Sequence, residues 1–217
     1  VKNMGKTKKP PRLGIALIVS GPSGAGKSTV CSELRRIKKD LHFSVSCTTR
    51  EPRPGEKHGY DYYYITHSEF REKIRKRKFL EYANVHGEFY GTLRSEVFDY
   101  VMDGADVLLD IDVQGAMKIR KKAETNKILS VVTEFVFIGP PSFNELERRL
   151  RSRNTESETA IQRRLNNAKK ELDAWDKYDY LLINKELGKT VDDLYHLLDI
   201  LHKSTKRLKD SGFYIQI

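Results

Sequence analysis

Cysteine and tryptophan are scarce in this chain of 217 residues, and long apolar runs are missing. The two cysteines, Cys31 and Cys47, form no metal-binding or redox motif. That excludes a disulfide scaffold and a zinc module, and it points to a reducing, cytoplasmic compartment. No stretch approaches the ~20 apolar residues of a membrane-spanning helix, so no membrane association is expected. Internal repeats and low-complexity tracts are also missing, which removes tandem-module scaffolds. The basic stretch Val1 to Arg12 holds Pro10 and Pro11 but no apolar core, and it reads as a flexible lead-in rather than a targeting signal.

What is present is 38% hydrophobic and 32% charged, enough for one domain with an insertion or a small subdomain. The net charge of +10 suits an anionic ligand. Charge alone does not choose between nucleic acid and a charged nucleotide.

The stretch that organises the rest is Gly21-Pro22-Ser23-Gly24-Ala25-Gly26-Lys27-Ser28, which fits G-x-x-x-x-G-K-[ST]. Ile15 to Val19 precedes it as a buried strand, and Val30 and Leu34 follow at helical spacing. Strand, glycine loop and helix together make an anion cradle, because residues without Cβ let successive N–H groups converge at a helix N-terminus. Di- or triphosphate is the natural guest. Lys27 can reach the outer phosphates, and the Ser28 hydroxyl can ligate Mg²⁺.

Further along, Phe43 to Cys47 alternates like a strand and runs into Arg50-Glu51-Pro52-Arg53-Pro54, where two proline-stiffened arginines suit a second phosphate. A solvated basic loop is the competing reading. Gly59 to Ile65 reads as an aromatic strand, and Thr66-x-x-Glu69 as a capping box before a helix with Phe70 and Ile74. Phe79 to Val85 and Glu88 to Thr92 read as strands, giving a small subdomain over about 48–93. Val107 to Asp112 reads as a core strand ending in carboxylates that can hold Mg²⁺. Phe135 to Ile138 and Tyr180 to Asn184 are the remaining core strands. Ser142 caps a helix with Leu146 and Leu150. The segment from Arg148 to Arg164 carries Arg148, Arg149, Arg151, Arg153, Arg163 and Arg164. Arginines on a mobile segment can neutralise transition-state charge, and a salt-bridged surface helix is the alternative. Ile161, Leu165, Ala168, Leu172 and Trp175 then keep a helical stripe. Val191, Leu194, Tyr195, Leu198 and Leu201 make the apolar face of a closing helix.

Taken together, GPSGAGKST, SVSCTTREPRPGE, GYDYYY, FLEYANVHGEFYGT, LLDIDVQG and RLRSRN resemble the guanylate kinases, P-loop nucleoside monophosphate kinases that phosphorylate GMP from ATP. The resemblance runs from about Leu13 to Leu201. It implies an α/β three-layer P-loop core with a parallel sheet (13–47 and 94–205), a small mixed α+β GMP-binding subdomain and a mobile helical lid over about 149–166. Residues 206–217 are left as a tail. It further implies that Arg50, Arg53, Tyr62 and Tyr90 grip the GMP phosphate. Glu81 would accept from guanine N1–H and N2–H₂, Ser46 and Thr92 would donate to O6, and Asp112 would support the N2 side. On the donor side it implies that residues from Gly21 to Thr29, with Asn184, hold ATP. Lys27, Arg50, Arg149, Arg153 and Arg164 would act on the transferring phosphoryl group, and Ser28, Glu56 and Asp110 would lie near Mg²⁺. Leu93 departs from the small polar residue that many relatives carry after the Tyr90-Gly91-Thr92 segment.

A monomer acting on ATP and on GMP or dGMP, without nucleic acid, is the expectation. Three readings compete with it: a noncatalytic guanylate-kinase-like phosphopeptide module, a nucleic-acid-binding ATPase and a kinase of another acceptor. The first has against it the intact Lys27 and Ser28. The second has against it the tyrosines gathered beside the arginine pair rather than spread along a basic face. Glu81 separates the third.

Overall fold

The computed structural model describes residues 12–85, 87–152 and 157–207. In chain order these form β1 (Ala16–Ser20), α1 (Lys27–Ile37), β2 (His42–Phe43), β3 (Cys47–Thr48), β4 (Tyr63–Tyr64), α2 (His67–Arg75), β5 (Phe79–Val85) and β6 (Glu88–Leu93). There follow α3 (Ser95–Met102), β7 (Val107–Asp110), α4 (Val113–Ala123), α5 (Lys127–Val132), β8 (Thr133–Gly139), α6 (Phe143–Arg151), α7 (Glu158–Leu172), β9 (Tyr180–Ile183) and α8 (Leu187–Leu201).

Five strands make an all-parallel sheet in the order β2-β7-β1-β8-β9. Its central strands are apolar on both faces, as a sheet covered by helices on both sides requires. Along β1, Leu17 and Val19 pack with Val30 and Leu34 of α1 and with Leu194 and Leu198 of α8. Ala16 and Ile18 turn the other way, onto Val97 of α3, Ile119 of α4 and Leu129 of α5. Each fully buried Leu or Ile contributes roughly 1.5–3 kcal/mol. The strand that delivers the phosphate loop is thus anchored from both sides.

A second sheet, ordered β4-β3-β6-β5, contains the antiparallel hairpin of β5 and β6. It has its own core, in which Phe70 of α2 stacks on Phe79 and Phe89 at centroid distances of 4.3 and 5.2 Å. The capping box that starts α2 is complete: Glu69 N–H donates to Thr66 Oγ1, and Thr66 N–H to Glu69 Oε2.

Several sequence expectations are corrected. Phe43 to Cys47 is not one strand, because β2 ends in the large sheet and β3 begins in the small one. Glu96 of α3 takes the backbone between them, accepting from Val45 N–H at 3.2 Å, and it also meets His42 and the Tyr63 hydroxyl. The aromatic strand shrinks to Tyr63–Tyr64, since Gly59 at φ +76° and the Asp61 carboxylate, bonded to Lys57 N–H, make residues 57–62 a turn. Strand β7 stops at Asp110; Asp112 instead caps α4, accepting from Gly115 N–H at 2.7 Å. Helix α7 ends at Leu172, so Trp175 leaves the helical stripe for a short 3₁₀ turn and is 53% exposed.

Candidate active site

The phosphate loop leaves β1 with Gly21 at φ +153°, Gly24 at +93° and Gly26 at +86°. Any Cβ at Gly21 would strike the Ile138 carbonyl, and one at Gly26 would strike Asn184 Nδ2. Glycine is therefore required at both positions by conformation and by space. The loop opens directly into α1, whose N-terminal N–H groups have no side-chain cap and stay available to an anion. Lys27 is ion-paired with Asp110 at the end of β7. Burial lowers the Lys27 pKa, against the opposing pull of Asp112 and Glu171.

A cleft of about 390 Å³ joins this loop to the small sheet. Of the expected donor residues it brings together Gly21, Pro22, Ser23, Gly24, Gly26, Lys27, Ser28 and Thr29, and of the expected acceptor residues Ser46, Tyr62, Glu81, Tyr90 and Asp112. Asp110 joins them, while Ala25 is buried behind the loop. Thr92 stands just behind the cleft wall. Its N–H and hydroxyl both donate to Glu81 Oε1, at 3.1 and 2.8 Å. Glu81 is only 6% exposed; burial raises its pKa, Thr92 opposes the shift and nearby Asp112 adds to it.

Arg50 lies beside the cleft, its guanidinium 5.5 Å from the Tyr62 ring centroid and paired with both carboxylate oxygens of Glu56. Glu56 also accepts from Arg53 N–H at 2.7 Å and from the Tyr64 hydroxyl at 2.8 Å. These donors, Arg50 above all, pull its pKa down to about 2. Its oxygens are thus committed to shaping the arginine turn. Ser28 and Asp110 offer oxygens to the same cleft, one of those of Asp110 being on Lys27, and could hold a Mg²⁺ that keeps most of its waters. Tyr62 and Tyr90 meet edge to face at 5.9 Å.

On the far side of the phosphate loop, Arg149 and Asn184 converge on one atom. Arg149 Nη1 and Asn184 Nδ2 both donate to the Ala25 carbonyl, at 3.3 and 2.8 Å, and Arg149 Nη2 donates to the Asn184 carbonyl. Arg164 is half-buried on α7. Arg153 lies outside the described residues.

The sequence reading missed Glu171, which lines the cleft and accepts from Ser23 N–H at 3.3 Å. Its signal was a carboxylate three residues beyond Ala168, on the apolar stripe of α7. It also missed Tyr64, hidden in a run of tyrosines where no spacing distinguishes one from the next.

The comparisons agree with this geometry. The family model described as Guanylate kinase matches residues 14–201. The guanylate kinase of Fusobacterium nucleatum is 48% identical over 188 residues, covering 86% of this chain and 97% of that protein. That of Thermotoga maritima is 44% identical over 179 residues, covering 82% and 83%. The crystal structure of guanylate kinase from Anaplasma phagocytophilum is 32% identical and superposes with a TM-score of 0.74, covering 97% of this chain and all of that one. A phosphate loop on a five-stranded parallel sheet, facing a buried carboxylate on a second sheet, is thus found in a chain that belongs to the guanylate kinase family.

Proposed function

We propose that the cleft transfers the terminal phosphoryl group of ATP to GMP, and to dGMP, giving ADP and GDP. The reading rests above all on Glu81. A buried carboxylate with one oxygen committed to Thr92 and the other uncommitted, at the opposite end of the cleft from the phosphate loop, suits a base edge that offers two donors. Guanine has N1–H and N2–H₂ there. Adenine would set its N1 acceptor against the carboxylate and leave both unpaired, which a buried site penalises. Asp112 stands close enough to serve the N2 side, and Ser46 lines the cleft as a donor to O6.

Arg50 is the acceptor-phosphate clamp, held ready by Glu56 and backed by Tyr62 and Tyr90, with Arg53 completing the turn. On the donor side the loop from Gly21 to Thr29 holds the ATP phosphates, and Lys27 exchanges Asp110 for the outer phosphates. Arg149 and Asn184, already on the loop at Ala25, close the donor site toward the adenine end. Arg164, and Arg153 with it, add positive charge from the lid. When bound, Mg²⁺ neutralises charge on the transferring phosphates, with Ser28 and Asp110 the residues that would hold it. No general base is required, because positioning and charge neutralisation carry most of the rate. Such an enzyme works in purine nucleotide metabolism in the cytoplasm, where two buried free thiols, Cys31 and Cys47, remain reduced. No helix among the described residues is long and apolar enough to cross a membrane. The chain is expected to act as a monomer, which light scattering checks.

ADP release from ATP and Mg²⁺, measured with GMP, dGMP, AMP, CMP and UMP in parallel, tests the proposal. Turnover confined to the guanine acceptors is expected. Equal turnover with AMP would remove Glu81 from its role, and none with any acceptor would overturn the assignment.

A further inference from the structure

One contact in the cleft has no part in the scheme above. Ser23 is exposed at the rim of the phosphate loop, and its N–H, which could serve an anion, is taken by the carboxylate of Glu171 from the far end of the chain. Glu171 sits in the last turn of α7. That helix carries Arg164, and Ile161, Leu165 and Ala168 on it pack against Leu146 and Leu150 of α6. Leu150 in turn is the side chain that a Cβ at Gly24 would first meet. The α6/α7 pair therefore rests on the loop, with Glu171 as the polar link from α7 beside that of Arg149 from α6 to the Ala25 carbonyl.

The carboxylate also lies on a particular side of the cradle. It is within electrostatic reach of Lys27 and Asp112, and burial together with Asp112 pushes its pKa up. Lysine in such a loop serves the outer phosphates, whereas the backbone near the helix N-terminus serves the inner ones. Glu171 thus stands where the outermost phosphate of a bound donor would come, and two anions cannot share one N–H.

We propose that Glu171 competes with the terminal phosphate of ATP for the rim of the loop. ATP expels it from Ser23, which releases the end of α7, whereas a diphosphate leaves the contact in place. Glu171 is then a positioning residue that couples the presence of a transferable phosphoryl group to the placement of the α7 arginines, and it retakes the loop once the group has gone. This rests on the donor-site reading above.

The test uses the full chain, with Glu171→Ala and Glu171→Gln compared with the parent for binding of ATP, ADP and GMP by calorimetry, each with Mg²⁺. Loss of one charged competitor should tighten ATP binding by Glu171→Ala about tenfold and leave ADP and GMP within about twofold, with Glu171→Gln intermediate because its amide still accepts. Trp175, the sole tryptophan and near the end of α7, reports the motion. Its emission should shift with ATP but not with ADP in the parent, and in nucleotide-free Glu171→Ala it should already stand at the ATP-bound position. Unchanged or weaker ATP binding overturns the inference, as does ADP tightening as much as ATP. Retained GMP binding shows that a variant is folded, and should Glu171→Ala fail to fold, Glu171→Gln decides by the same ATP-to-ADP comparison. A parent that binds neither ATP nor ADP would instead overturn the donor-site reading, and this inference with it.

Discussion

The two halves of the cleft are made differently. The donor half is built on one continuous stretch, Gly21 to Thr29, shaped by glycine φ angles and presented by a strand buried on both faces. Backbone does most of its work. The acceptor half is drawn from the residues that lead into β3, β4 and α4, the 50–56 turn, β5 and β6, and side chains holding side chains do its work: Thr92 on Glu81, Glu56 on Arg50. The first kind of site, Lys27 and Ser28 apart, depends on glycines that admit no Cβ. The second tolerates backbone adjustment but no loss of a single charge.

Substitutions separate the halves. Gly26→Ala places a Cβ on Asn184 and forces a side chain into the left-handed region, each costing about 1–2 kcal/mol, so ATP affinity should fall about 100-fold while GMP affinity holds. If calorimetry shows both ligands weakened alike, the halves are not independent. Glu81→Gln should raise the KM for GMP by about 10- to 100-fold, the scale of a lost hydrogen bond to a charged group, with the KM for ATP little moved. An equal rise in both would deny the base pocket.

The Glu56 pair adds a pH signature to the acceptor half. A carboxyl whose pKa is about 2 in the fold, below its unfolded value, stabilises the fold at pH values above that unfolded value. The stabilisation drains away as pH falls from about 4.5 toward 2. Melting temperatures across that window should drop less steeply in Glu56→Gln, and that variant should also have a higher KM for GMP because Arg50 loses its anchor. The smallest effect is expected at Gly115, where a Cβ would lie 3.0 Å from Glu81 Oε2 and 3.1 Å from Asp112 Oδ1. Gly115→Ala should raise the KM for GMP by about threefold through a carboxylate shift of a few tenths of an ångström, without moving the KM for ATP. A structure of that variant with Glu81 unmoved would count against the explanation.

The same contrast explains what could be read in advance. The donor half is contiguous, so Gly21 to Ser28 declares itself by pattern, and β1, β8 and α8 follow from apolar runs and helical spacing. Of the acceptor residues, Arg50 and Arg53 show in their proline-stiffened spacing, whereas the others are named only through resemblance to a family, since nothing in the spacing of Glu81 and Thr92 says that one holds the other. Helices α3, α4 and α5 went unread because α3 and α5 run for only 8 and 6 residues, too short to display a helical repeat, and the last turn of α4 carries Arg120, Lys121 and Lys122. The break between β2 and β3 was hidden because Ser44 to Ser46 alternate as a strand would, and only Glu96, from another element, takes Val45 out of the ladder. Glu171 was passed over as one more charge on a helix.

The apolar clusters carry a last consequence. Phe70, Phe79 and Cys47 under the small sheet, and Leu146, Leu150, Ile161 and Leu165 between α6 and α7, are separate from the two clusters that flank β1. Leu80 of β5 reaches into one of those two flanking clusters, but otherwise each small piece keeps its own oil, so either can open while the central sheet stays intact. Amide protons of β1 and β8 should then outlast those of β5 and α6 in deuterium exchange, and a damaging change in either small piece would abolish catalysis in a protein whose central sheet is still protected.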